Sequence, residues 1–141
     1  MLNWFKSKKP ATPKTLGQLG EEFAQEEYKK QGYEILTANF FNKKGKRLGE
    51  IDFIAKNKEK LVFVEVKTRN AQSSEKFGTA AEAVNFFKQQ KILRAVKVFL
   101  LGNRQYQNLR PQIDVCTVSY NELDKPSFSA IIIPNAVEDW S

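Results

Sequence analysis

Four ionisable residues raise the chemical question in this chain: Glu50, Asp52, Glu65 and Lys67. Glu50-Ile51-Asp52 and Glu65-Val66-Lys67 each hold two of them two positions apart, the spacing that puts side chains on one face of a β-strand. Phe53-Ile54-Ala55 and Leu61 to Val66 are rich in β-branched and aromatic residues. Polar Lys56-Asn57-Lys58-Glu59-Lys60 lies between them, so residues 49–69 are predicted to form an antiparallel hairpin. With the turn centred between Lys58 and Glu59, Asp52 lies opposite Glu65 and Glu50 opposite Lys67. Three carboxylates and one ammonium then share one patch of sheet.

Such a patch is costly by itself. Opposed side chains in an antiparallel pair sit roughly 4.5–5.5 Å apart at Cβ, and like charges there destabilise the sheet. Asp52 and Glu65 are expected to repel, and one of them to hold its proton more tightly. A hard divalent cation, Mg²⁺ or Mn²⁺, removes the conflict by binding carboxylate oxygens while keeping positions for water or phosphate. Lys67 beside it would stabilise charge on a phosphate or orient an attacking water. The plainer reading is a solvated polar face carrying a Glu50–Lys67 ion pair. Against it, Leu61 and Phe63 share the face of Glu65 while Val62, Val64 and Val66 fill the other. That strand is predicted to be buried on both sides, and charge at the end of a buried strand is not ordinary surface.

Composition narrows the chemistry further. The chain has no histidine, which removes the commonest general base, imidazole metal ligands and every nucleophilic triad built on imidazole. Its single cysteine, Cys116, excludes an internal disulfide and a cysteine-based zinc site, and its apolar setting, Ile113 to Val118, makes it a core residue. Hydrolysis here would fall to carboxylates, lysine and a metal. The 141 residues suit one domain, and the net charge of +7 fits a polyanionic partner. Lys6, Lys8, Lys9 and Lys14 supply more than half of that excess. No apolar run approaches the roughly 20 residues that span a bilayer, and the N-terminus lacks a signal-peptide core, so a soluble cytoplasmic protein is expected.

The elements that must position these residues follow along the chain. Residues 1–14, with Pro10 and Pro13, read as a basic disordered tail. Thr15-Leu16-Gly17-Gln18 is a capping box that opens a helix running to about Gln31, with Gly32 as the stop. Gly17, Glu21, Ala24 and Tyr28 fall on one stripe, which aims Glu21 along a small-residue face toward the carboxylates. The alternative is a first-turn glutamate favoured by the helix dipole. Tyr33 to Phe41 reads as a strand and leads to a basic loop, Asn42 to Arg47, from which Asn39, Lys43, Lys44 and Arg47 would lean on a phosphate backbone. A second capping box at Thr79 opens a helix to about Leu101, its core stripe formed by Ala83, Phe87, Ile92 or Leu93, Val96, Phe99 and Leu100. Asn103 to Gln112 is a predicted loop, followed by strands at 113–118 and 127–133, with Asn135-Ala136 closing the core.

Gly49-Glu50-Ile51-Asp52 followed by Phe63-Val64-Glu65-Val66-Lys67-Thr68-Arg69 resembles the YraN-like family of small bacterial proteins. Asp52 with Glu65-Val66-Lys67 is similar to the D…E-x-K core of the wider PD-(D/E)XK nuclease superfamily. The Gly17-x-x-Gly20-Glu21 start, Gly32-Tyr33 and Asn39 extend the likeness, which covers residues 15–136. It implies a restriction endonuclease-like α/β core of order αβββαββ, a mixed sheet flanked by helices, and the same order follows from the sequence pattern. Residues 137–141 are left as a C-terminal tail. The resemblance also implies a metal site of Asp52 and Glu65, with Glu21 as a further ligand, as in Holliday-junction resolvases. Lys67 and Glu50 complete the catalytic set, and Arg69 and a polar residue of the second helix, Lys88 or Gln89, lie against nucleic acid. Where the family has Arg-Phe-Asp this chain has Gln112-Ile113-Asp114, so any role of that arginine would pass to Arg110.

These readings converge on a nucleic-acid-binding protein that hydrolyses phosphodiester bonds as a Mg²⁺- or Mn²⁺-dependent endonuclease, with structured or branched DNA ahead of RNA as substrate. The alternative is a non-catalytic binding or assembly module on the same scaffold. A homodimer would suit cleavage of two strands, though no stretch of sequence marks its face.

Overall fold

The computed structural model describes residues 13–38, 51–72 and 86–137. Helix α1 (Leu16–Lys30) begins where the capping box places it. Thr15 is the N-cap, its side chain accepting from the Gln18 N–H, while the Gln18 side chain accepts from the Thr15 N–H. Gln31 is the C-cap, and Gly32 follows at φ 91°, a conformation glycine adopts without a Cβ penalty. The stripe that α1 buries is Gly20, Ala24 and Tyr28, whereas Gly17, expected on it, is exposed.

Five strands form one sheet in the order β1 (Glu34–Ala38), β2 (Phe53–Lys56), β3 (Lys60–Asn70), β4 (Arg110–Asn121) and β5 (Ser127–Ile133). All neighbours are antiparallel except β3 and β4, which run parallel over eleven paired positions. A parallel pair needs a long crossover, and helix α2 (Phe86–Gly102) lies within it. The element order is the predicted αβββαββ, and the mixed sheet with its two helices is the α/β class expected of a restriction endonuclease-like core. β4 starts at Arg110 rather than Ile113, because its first residues pair with Lys60–Val62 and the Arg110 N–H donates to Glu59 O. Of the predicted 103–112 loop, Arg104–Tyr106 is a 3₁₀ turn.

Two apolar clusters separate the faces of the sheet. Ala24 and Tyr28 of α1 pack with Phe53, Ala55, Val62, Val64, Cys116 and Val118. Ile92, Leu93, Ala95, Val96 and Phe99 of α2 pack with Ile54, Leu61, Phe63, Ile113 and Val115 on the other side. Strict alternation along β3 feeds both clusters, so Leu61 to Glu65 are all buried, as a strand covered on both faces requires. Lys91, Arg94 and Lys97 face outward from α2. Val137 joins the core on the α2 side, and the Ala136 N–H donates to Ile113 O.

Candidate active site

The hairpin register is the predicted one. Phe53 pairs with Val64, Ile54 with Phe63, Ala55 with Val62 and Lys56 with Leu61. The turn is held by Asn57, whose Oδ1 accepts from the N–H groups of Glu59 and Lys60 at 2.9 and 2.7 Å. Asp52 departs from the register. Its N–H donates at 2.9 Å to the carbonyl of Val64, which already partners Phe53. Two residues thus share one partner, the pattern of a β-bulge. The alternation breaks with it, since Ile51 and Ile54, three positions apart, belong to the same core cluster. Asp52 is therefore not directly opposed to Glu65. Its Oδ2 instead accepts from the Val66 N–H at 2.6 Å, one residue beyond Glu65. The bulge re-aims the carboxylate along β3, and a backbone donor replaces part of its lost hydration.

Glu65 follows Leu61 and Phe63 on the α2 side and is only 2% exposed; Asp52 is 5% exposed. Isolated buried carboxylates are strongly disfavoured, so they are held by partners. For Glu65 the partner is Lys67, two residues on and on the same face, with Nζ 3.2 Å from Oε1. The Lys67 side chain keeps 27% of its surface exposed, so the pair runs from the interior to the solvent. Arg69, next along that face, is exposed, and its Nε donates to Ser119 Oγ on β4 at 3.4 Å. The end of β3 is tied to β4 by Asn70 Nδ2 donating to Glu122 Oε1 at 2.6 Å and Gln72 Nε2 donating to Asn121 Oδ1 at 3.0 Å.

The structure brings together Asp52, Glu65, Lys67 and, at the rim, Arg69. Glu21, half-buried, lies on α1. It follows Gly20, and a Cβ on Gly20 would lie 2.0 Å from Thr68 Oγ1, so α1 meets β3 at Thr68, on the face opposite Lys67. Among the described residues no group of three or more carboxylate or cysteine side chains is placed to hold a metal ion. Gln89 is partly exposed near the start of α2. Glu50, Asn39, Lys43, Lys44 and Arg47 lie outside the described residues, as does the side chain of Lys88.

A second buried carboxylate, Asp114 on β4, does a different job. Tyr28 Oη donates to its Oδ2 at 2.6 Å, and Oδ1 accepts from Gln112 Nε2 at 2.8 Å and from the Asn135 N–H at 3.2 Å. Gln112 is thus a neutral donor to Asp114, while Arg110 is exposed at the start of β4. Burial, then the charge of Asp114, raises the Tyr28 hydroxyl well above its ordinary value. The same two causes, in that order, push the Cys116 thiol up to about 12. Sequence alternation could have flagged Gln112 and Asp114 as one face; nothing in the sequence announced the Val66 N–H.

The mixed five-stranded sheet and its two helices make this an α/β protein, consistent with a restriction endonuclease-like core. Residues 20–118 match the family described as Uncharacterised protein family UPF0102, and the chain belongs to that family. It is similar to a UPF0102 protein of Caldanaerobacter subterraneus subsp. tengcongensis, 44% identical over 80% of this chain and 86% of that one. A UPF0102 protein of Clostridium botulinum is 38% identical over 89% of this chain and 95% of its own length. Another, of Alkaliphilus oremlandii, is 48% identical over 64% of this chain and 72% of its own.

Proposed function

We propose that this protein hydrolyses nucleic-acid phosphodiester bonds with a divalent cation held by Asp52 and Glu65. The observation that carries the reading is a pair of buried carboxylates at the end of a doubly buried strand, one fixed by a backbone N–H and the other ion-paired to a partly exposed lysine. The donor chemistry fits Mg²⁺ or Mn²⁺, which take carboxylate oxygens and retain water positions. Glu21, whose helix meets β3 on the opposite face, does not complete a three-carboxylate group with Asp52 and Glu65. What a bound cation supplies is Lewis acidity toward a phosphate oxygen and a more acidic water.

The chain's own residues do the rest. The Val66 N–H fixes the orientation of Asp52, so the carboxylate needs little reorganisation. Lys67 holds its ammonium against Glu65 and presents it at the surface, where it can donate to a phosphate oxygen as charge develops. Arg69 extends the positive row toward neighbouring phosphates, a contact that positions a substrate without reading its sequence.

Isothermal titration of Mn²⁺ and Mg²⁺ into the wild-type protein, Asp52→Asn and Glu65→Gln tests this directly. Linear, flapped and four-way-junction DNA and structured RNA are scored for cleavage alongside. Metal uptake and cleavage are expected in the wild type and lost in both variants. No uptake, with all three proteins binding nucleic acid equally and cutting none, would leave a non-catalytic binding module.

A further inference from the structure

The two edges of the sheet differ in how they meet solvent. β1 is five residues long, its register shifts between Ile35 and Thr37, and Glu34 pairs with Lys56 at 3.5 Å. Shortness, irregularity and charge are the usual devices that stop an edge from recruiting another strand. β5 has none of them. Its seven residues, Ser127-Phe-Ser-Ala-Ile-Ile-Ile133, carry no charge and no internal proline, and they pair with β4 without a register shift. Pro126 and Pro134 bound the strand at both ends. Ile131 is 67% exposed on it.

From this edge we infer that β5 pairs antiparallel with β5 of a second copy, about a two-fold axis midway between the two Ala130 residues. An antiparallel edge is its own complement, and only a centre at Ala130 pairs all seven residues. Ala130 then faces Ala130, and Phe128 faces Ile132 of the second copy, extending the apolar row on the α1 side. On the other side Ile131 faces Ser129 of the second copy. The two Ile131 side chains lie diagonally, roughly 7–8 Å apart, close enough to cover each other. Seven paired residues bury less than the 1,200–2,000 Å² or so of a standard stable interface, so the dimer is a concentration-dependent one.

A two-fold axis normal to the sheet leaves the same face of both copies on one side. Lys67 pairs with Thr117 and Thr117 with Ile131; Arg69 pairs with Ser119 and Ser119 with Ser129. One row across the dimer therefore reads Lys67, Thr117, Ile131, then Ser129, Ser119 and Arg69 of the second copy. Five strand spacings separate the two β3 strands, roughly 24 Å. Pairing itself does not depend on the hydrolytic reading; its consequence, two sites facing one substrate, does.

Sedimentation velocity over a wide concentration range is the test, on the wild type, Ile131→Lys and Ala130→Cys. A monomer–dimer equilibrium is expected in the wild type, with the dimer lost in Ile131→Lys, whose changed side chain is exposed and whose circular dichroism should match the wild type. Oxidation should convert Ala130→Cys to a covalent dimer, while Ser127→Cys, far from its own copy in this register, stays monomeric. A wild type that is monomeric throughout, or an Ile131→Lys variant that dimerises as well as the wild type, overturns the proposal. So does Ser127→Cys cross-linking as readily as Ala130→Cys. None of these readouts involves metal or cleavage, so a failed nuclease assay would leave the result standing.

Discussion

Asp114 and Glu65 are both 2% exposed, on adjacent strands and one register step apart, since Asp114 pairs with Val64. They point to opposite faces and are held by opposite means. Asp114 faces α1 and receives three neutral hydrogen-bond donors, fixed by a helix, a strand neighbour and the chain after β5. Glu65 faces the α2 side and is met by an ammonium that reaches solvent. Neutral fixed donors share a buried charge with the fold, whereas an ion pair with an outward path can exchange its cation. Burial alone thus says little about function, and the kind of partner says more.

The largest expected effect separates the two residues. Asp114→Ala strands the Tyr28 hydroxyl, the Gln112 amide and the Asn135 N–H, and should cost at least about 3 kcal/mol of stability in a urea titration. Glu65→Gln removes a buried charge with little change of shape, and should leave stability unchanged or higher while removing Mn²⁺ uptake. Equal losses of stability in both would mean that the fold depends on the two carboxylates in the same way.

A smaller effect comes from Tyr28→Phe, which withdraws one donor from a charged acceptor and should cost about 2 kcal/mol. The same network sets an alkaline limit. Cys116 and Tyr28 both have raised native values, so their neutral forms are the ones the fold favours. The stability they confer is complete below pH 9.0, the ordinary value of the thiol, and falls as pH rises toward 12. Urea midpoints measured upward from pH 8 should therefore decline, and Cys116→Ala should flatten the slope. Unchanged slope in that variant would remove the thiol from the account.

The smallest contrast lies in α1. Gly17→Ala meets only Thr15 Oγ1 at 3.8 Å and should stabilise by about 0.5–1 kcal/mol through helix propensity. Gly20→Ala drives a methyl into Thr68 and should destabilise despite the same propensity gain. Thermal melts of the two variants should move in opposite directions.

Much of this was legible in the residues. The Thr15 capping box, the Gly32 stop, the hairpin register and the alternation of β3 all rest on local rules, and the structure follows them. β5 matches its predicted span of 127–133. Long-range pairing was less visible: β4 begins three residues early because Lys60–Val62 supply partners that no local signal at Arg110 announces. In the candidate site, alternation along β3 placed Glu65 and Lys67 on one face, but the bulge at Asp52 depends on how a chain enters a ladder. The choice between Gly17 and Gly20 was set by Thr68, nearly fifty residues away.

The parallel β3–β4 ladder carries a kinetic consequence. Lys60 meets Arg110 fifty positions along the chain, and all eleven pairs share that separation. Loop closure of this size precedes any reward from pairing, which makes such contacts slow to form. The β2–β3 hairpin closes through a short turn, so Asp52 can find the Val66 N–H before β4 arrives. Substitutions in the turn at Asn57 should then slow refolding, while Tyr28→Phe should mainly speed unfolding, as stopped-flow measurements can distinguish. The carboxylates of the candidate site would be assembled early, and Asp114 would lock the sheet behind them.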